Sequence, residues 1–169
     1  LVANAPEGIV AAKSLLKLEQ AKNLALISHW GIASGAFVEG IGLDDLAKLN
    51  LFVLQTYSFT KPTNPTLNNQ VLKAYQSMFD SSITAQSIPG AVGTAHAYDL
   101  IHILAKAIIK ANSIKANDIR AELEDLPFHE GLVKTYRPAF TKDKHDALWA
   151  EDYFISYFDS QGNLAPLKD

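Results

Sequence analysis

The sequence predicts an α/β fold in three layers, α-β-α, with a parallel sheet between flanking helices and a β-hairpin at its end. Three observations predict it. Leu51-Phe52-Val53-Leu54-Gln55-Thr56-Tyr57 is rich in β-branched and aromatic residues and contains no breaker, which reads as a buried strand. Two apolar segments before it, each followed by a helical pattern, complete a β-α-β-α-β order; such an order closes into a parallel sheet through right-handed crossovers. Near the end, Tyr153-Phe154-Ile155-Ser156-Tyr157-Phe158 followed by Asp159-Ser160-Gln161-Gly162-Asn163 reads as a strand and a turn.

Taken in order, Leu1 to Ala3 reads as the tail of a strand whose beginning is absent, so the chain is expected to be a fragment or trimmed form. Its opening residues carry no basic leader, so no signal peptide is expected within this sequence. Asn4 has the side chain of an N-cap, Pro6 suits a first helical turn, and Glu7 favours its positive end. Ile9, Val10, Ala12, Leu15, Leu16 and Leu18 form the apolar face of the helix that follows, with Lys13, Lys17 and Gln20 opposite. Leu24 to Ile27 is the second strand, ended by Ser28-His29-Trp30-Gly31. A second helix is expected over Gly35 to Gly40, closed by Gly42, and a short helix or loop over Leu43 to Leu49.

After the third strand, Ser58 to Asn69 holds two prolines, three asparagines and three threonines and reads as a crossing loop. Val71 to Phe79 is a helix, and Ser81 to Pro89 a polar loop. Gly93 to Ala111 carries apolar residues so broadly that a mostly buried helix is expected. Asn117-Asp118 is expected to cap a further helix that Pro127 stops at Leu126. Gly131 to Tyr136 alternates weakly, Pro138 to Trp149 is a polar connection, and Leu164 to Leu167 pairs back as an edge strand because Pro166 would spoil a central one.

At 169 residues and 18.4 kDa the chain is one domain or a piece of a larger one. Its net charge of −3 leaves no basic field for phosphate, which argues against nucleic acid. It has no cysteine, hence no thiolate nucleophile and no thiolate metal site. No apolar run approaches the ~18–20 residues of a membrane span. There is no G-x-S-x-G elbow, and the glycines around Gly31-Ile32-Ala33-Ser34-Gly35 and Gly40-Ile41-Gly42 fit no phosphate-binding loop. His96, Asp99 and His102 share one helix face at spacings of three. No third ligand has motif spacing, so hydrogen-bonded structural histidines are the favoured reading over a metal or catalytic pair. No cofactor is implied, and an enzyme is not expected.

The stronger candidate is geometric, because ligands of open α/β sheets sit beyond the carboxyl ends of the strands. Three such ends are furnished with Asn4-Ala5-Pro6-Glu7, Ser28-His29-Trp30-Gly31 and Tyr57-Ser58-Phe59. Free helix N–H groups at the first suit an anion, and Trp30 beside a glycine suits an apolar pocket wall with one polar handle.

Several stretches, in order over nearly the whole chain, resemble type I periplasmic solute-binding proteins of the leucine/isoleucine/valine-binding class that serve ABC transporters. They are Val2 to Gly8, Ile27 to Ile32, Val53 to Phe59, Gly93 to Leu100, His145 to Leu148 and Glu151 to Phe154. The resemblance implies two lobes that close on a solute: residues 1–58 as the end of lobe two, 59–140 as a return to lobe one, and 141–169 as a terminal crossing and hairpin. The lobes are incomplete, because the first part of the class pattern is missing. It also implies pocket contacts at Asn4, with Ala5 and Glu7 beside it, and at the turn holding His29 and Trp30; the ligand-contact set expected is therefore Asn4, Ala5, Glu7, His29, Trp30 and Tyr57. Amino-acid binders of the class carry an acidic residue where this chain has Trp30, which departs from an ammonium-binding pattern. The implied role is an extracytoplasmic solute-binding module, periplasmic or extracellular, that docks on an ABC permease; the alternative is a ligand sensor for a signalling receptor. A truncated sheet edge and bare apolar helix faces would also favour a homodimer.

Overall fold

In a computed structural model of the chain, which describes residues 1–19, 23–33 and 36–167, one mixed sheet carries one end of the molecule. Its strands are β1 (Ala25–His29), β2 (Asn50–Gln55), β5 (Phe154–Phe158) and β6 (Leu164–Pro166), in the order β1-β2-β5-β6. β1 and β2 are parallel, with Leu26 opposite Leu51 and Ser28 opposite Val53. β5 runs antiparallel to β2, and β6 antiparallel to β5. Pro166 falls in the edge strand, as its missing N–H requires.

Residues 1–3 are not a regular strand, yet they begin one in register. The Leu1 nitrogen donates to Ile27 O at 2.6 Å and His29 N donates to Leu1 O at 3.3 Å. That pair of bonds is the slanted ladder of a parallel neighbour. Leu1, β1 and β2 are thus adjacent and parallel.

Helices α1 (Ala5–Leu15), α2 (Phe37–Ile41) and α3 (Leu43–Leu46) pack with this sheet. Alternation along β2 sends Leu51, Val53 and Gln55 to the helix-covered face, where Ile32, Phe37, Ile41 and Leu46 complete a core. The opposite face leaves Ile27 and Tyr157 exposed. Gln20 and Gly35, assigned above to helical positions, lie outside the described residues; the second helix runs from Phe37. Asn4 occupies the N-cap of α1, but its side chain makes no capping bond.

The second part of the molecule is helical: α4 (Pro65–Met78), α5 (Ala91–Ala111), α6 (Ala116–Glu124) and a two-stranded ribbon of β3 (His129–Glu130) and β4 (Thr135–Tyr136). Three expectations need correction here. The crossing loop stops at Asn64, because its Oδ1 accepts from Leu67 N at 3.1 Å and Pro65 opens a helix of 14 residues; a proline that looked like a breaker is a helix starter. The helix after residue 112 starts at Ala116, with its N-cap at Lys115 two residues before the expected Asn117 and Asp118 inside the first turn, where it accepts from Ser113 Oγ at 2.6 Å. Finally, α5 is not mostly buried. Val92, Ala95, Asp99, Ile103 and Ala107 form a single inward stripe, while Ile101 and Ile109 are 65% and 79% exposed. An all-round apolar pattern says that a helix can be covered, not what covers it.

Asp99 fixes this second body. It is fully buried on α5 and accepts from Leu132 N at 2.6 Å, Val133 N at 2.9 Å and Tyr136 Oη at 2.9 Å. The carboxylate thereby clamps the β3–β4 ribbon to the helix. A Cβ on Gly131 would lie 2.4 Å from it, so this ribbon position has room only for glycine.

Candidate functional site

The carboxyl ends of β1 and β2 face a cavity of about 400 Å³ between the sheet and the start of α5. Loops diverge as they leave parallel strands, which is why a crevice opens at that edge. β1 runs straight into a short turn, Trp30–Ala33. Gly31 N donates to His29 Nδ1 at 2.6 Å, and a Cβ on Gly31 would fall 2.2 Å from the His29 ring and 2.6 Å from Ala3 O. Only glycine turns so tightly here, and the turn presents Trp30 to the cavity.

Trp30, Phe37 and Phe158 wall the cavity from the sheet body; Tyr57, Phe59 and Ile88 wall it from the helical body. Tyr57 meets Phe59 edge-on at 5.1 Å, and its hydroxyl donates to Asn68 Oδ1 at 2.6 Å. Burial pushes the Tyr57 phenol well above its usual range, so it stays neutral. Among the described residues that line the cavity there is no Asp, Glu, Lys, Arg or His.

Besides Ser58, Gln86, Ser87, Ser156 and Asn163, two polar features stand in this uncharged wall. Gln55 ends β2, is 3% exposed, and its Nε2 is buried without a hydrogen-bond partner. The N-terminus of α5 lines the opposite side through Gly90, Ala91, Val92 and Gly93. Gly90 adopts φ +56°, a left-handed conformation suited to glycine, and no side chain caps the helix. The first-turn N–H groups have no partner within a helix.

The two features are tied together. Thr56, next to Gln55, places its Oγ1 2.8 Å from Nε2 of His96 on α5. Burial lowers the basicity of His96, with nearby Asp99 working against that shift, so the pair acts as a neutral hydrogen bond.

Of the residues expected at a ligand site, Trp30 and Tyr57 line the cavity; Asn4, Ala5, Glu7 and His29 are not among its lining residues. Ala5 is buried in the helix-covered core of the sheet, Asn4 and Glu7 are exposed, and His29 is spent on the Gly31 turn. Gln55 was missed by sequence reasoning. Its signal is a lone amide at the end of an apolar run, on the face that alternation assigns to the core. The His96, Asp99 and His102 set serves separate contacts: His96 on Thr56, Asp99 on the ribbon, and His102 against the Tyr98 ring at 4.3 Å. Among the described residues no group of three or more His, Cys, Asp or Glu is placed to hold a metal, and no helix is long and apolar enough to cross a membrane.

No protein-family model matches the chain, and no curated protein matches it by sequence. Solved structures do. A type 1 periplasmic binding protein from Bordetella pertussis superimposes with a TM-score of 0.76 at 18% identity, covering 98% of this chain and 45% of that one. The leucine-binding protein LivK from Thermotoga maritima gives 0.73 at 16% identity, covering 99% and 42%. A fatty acid ABC transporter substrate-binding protein from Thermomonospora curvata gives 0.66 at 15%, covering 99% and 41%. The chain therefore has the type I periplasmic-binding-protein fold, and it spans less than half the length of these structures.

Proposed function

We propose that the chain is part of an extracytoplasmic solute-binding protein of an ABC uptake system, which holds a small amino-acid-like or organic-acid solute between two lobes and passes it to a membrane permease. The observation that carries this reading is the aromatic, uncharged cavity between the sheet body and the helical body, at the carboxyl edge of β1 and β2. The likeness of fold to solute-binding proteins supports it. Residues 1–58 then belong to lobe two, residues 59–140 to lobe one, and residues 141–169 to the return crossing and hairpin.

The protein would act by closure rather than by chemistry. A solute touching both walls stabilises the arrangement in which the walls are close, and it shifts that equilibrium only by its preference for the closed form. The permease would then read the closed form. Periplasmic or extracellular residence follows from this role. A sensor of the same fold would use the same closure to signal to a receptor.

Calorimetry and thermal-shift screening of the chain against amino acids, amides and short organic acids test the reading. The expected result is saturable binding by one chemical class, weaker than in a full-length binding protein because part of the cleft lies outside this chain. Trp30→Ala should weaken it by roughly tenfold or more, since an aromatic wall is lost. Binding of no class, or binding untouched by Trp30→Ala, would count against the cavity as the site.

A further inference from the structure

The geometry points to a carboxylate subsite built from the Gln55 amide and the N-terminus of α5, which selects an apolar monocarboxylate lacking an α-ammonium group. This rests on the reading of the cavity as the solute site and names what that site takes.

Two independent observations carry it. The first is the orphaned Nε2 of Gln55: the residue lines the cavity, and its amide nitrogen is buried with no partner among the described residues. Buried donors in folded proteins are almost always paired, and an unpaired one destabilises the free state. A ligand acceptor would supply the missing partner. The second is the start of α5, a helix of 21 residues whose first turn lines the same cavity with no side-chain cap. Its free N–H groups and the positive end of its dipole favour an anion. The hydrogen bond between Thr56 and His96 at 2.8 Å holds the end of β2 and the start of α5 together, so both donors serve one volume.

The lining decides the rest of the ligand. Among the described residues that line the cavity no side chain is a carboxylate, so on this wall an ammonium group finds no counter-charge; none is a cation, so on this wall the helix end is the anchor for an anion. Trp30, Phe37, Phe59 and Phe158 leave apolar surface for a branched aliphatic or aromatic body. The same side chains accept a free acid and resist the corresponding amino acid, because the amino acid would have to leave its ammonium desolvated and unpaired.

Ligand-detected NMR titration of the whole chain with isocaproate, isocaproamide and isoamylamine, with leucine as a fourth probe, tests this. Isocaproate is expected to bind roughly tenfold or more tightly than the amide, since the helix end favours charge, while the amine and leucine give no saturable signal. Gln55→Leu removes the unpaired donor at nearly constant shape. It should raise the thermal midpoint of the free protein and weaken isocaproate roughly tenfold. Ala91→Asp sets a carboxylate on the first turn of α5 itself, where it competes with a bound anion but favours the helix end, and it should weaken isocaproate without lowering the midpoint much. Equal binding of acid, amide and amine, or isocaproate binding unaffected by both variants, overturns the subsite while leaving the cavity as a binding site. Saturable binding of leucine at the strength of isocaproate overturns the selectivity. Failure of all four probes while another solute of the broader screen saturates the cavity overturns this inference alone, and failure of every class overturns the reading beneath it as well.

Discussion

The residue with the most at stake in folding is Asp99. A fully buried carboxylate that accepts from two backbone amides and a tyrosine is held by charge-assisted hydrogen bonds, and the groups around it are buried as well. Removing it leaves Leu132 N, Val133 N and the Tyr136 hydroxyl without an acceptor. Asp99→Ala should therefore destabilise the protein by about 3 kcal/mol or more, and Tyr136→Phe by about 1 kcal/mol, since the second variant removes one bond and leaves the carboxylate two others. Urea denaturation followed by circular dichroism measures both. A loss below about 1 kcal/mol in Asp99→Ala would show that the ribbon is held by its apolar contacts instead. The sequence placed Asp99 beside His96 and His102 through helical spacing, and the spacing is real. What it could not say is which long-range backbone amides would reach the carboxylate, because Leu132 and Val133 are more than thirty residues away.

Elements were legible where a local rule sufficed. The parallel pairing of β1 with β2, the antiparallel hairpin at the end and the edge position of Pro166 all follow from residue type, alternation and turn chemistry. The start of α4 was illegible for an equally local reason: Pro65 has two opposite meanings, and the capping bond from Leu67 N to Asn64 Oδ1 selects between them. That bond can be tested by itself. Asn64→Ala should cost about 1 kcal/mol and Asn64→Asp much less, because aspartate keeps an acceptor at the N-cap. Equal losses from the two variants would mean that Asn64 acts through something other than its side-chain oxygen. The candidate site was legible to the extent that a strand-end rule locates it. Trp30 and Tyr57 sit where strands end, whereas the Gln55 and α5 contribution needed the coordinates, since nothing local brings residue 55 to residue 91.

For the molecule as a whole, one buried and one half-buried histidine make stability depend on pH in a definite direction. His96 lies at the junction of the sheet body and the helical body, and His129 lies 4% exposed on the ribbon, with Lys106 Nζ donating to its Nδ1 at 2.9 Å. Burial lowers the basicity of both, and the Lys106 ammonium lowers that of His129 further. Each therefore binds its proton less readily in the folded state than in the unfolded chain, where a histidine titrates near 6.5. Between that value and the lower folded one, the unfolded state holds more protons, so stability is present above about pH 6.5 and is lost as the pH falls below it. The slope is at most about 1.4 kcal/mol per pH unit for each histidine. The lowered carboxyl groups of Glu124 and Asp125 begin from ordinary values of 4.5 and 3.8 and contribute their own loss only in more acidic solution. The urea midpoint should accordingly hold nearly level at pH 7.5 and fall as the pH drops through about 6.5 to 5.5, and the double variant His96→Gln, His129→Gln should lose most of that dependence. A midpoint that stays level in the native sequence over this range would mean that both rings keep enough contact with water to take up protons without unfolding, and that the junction between the two bodies is looser than the bond between Thr56 and His96 implies.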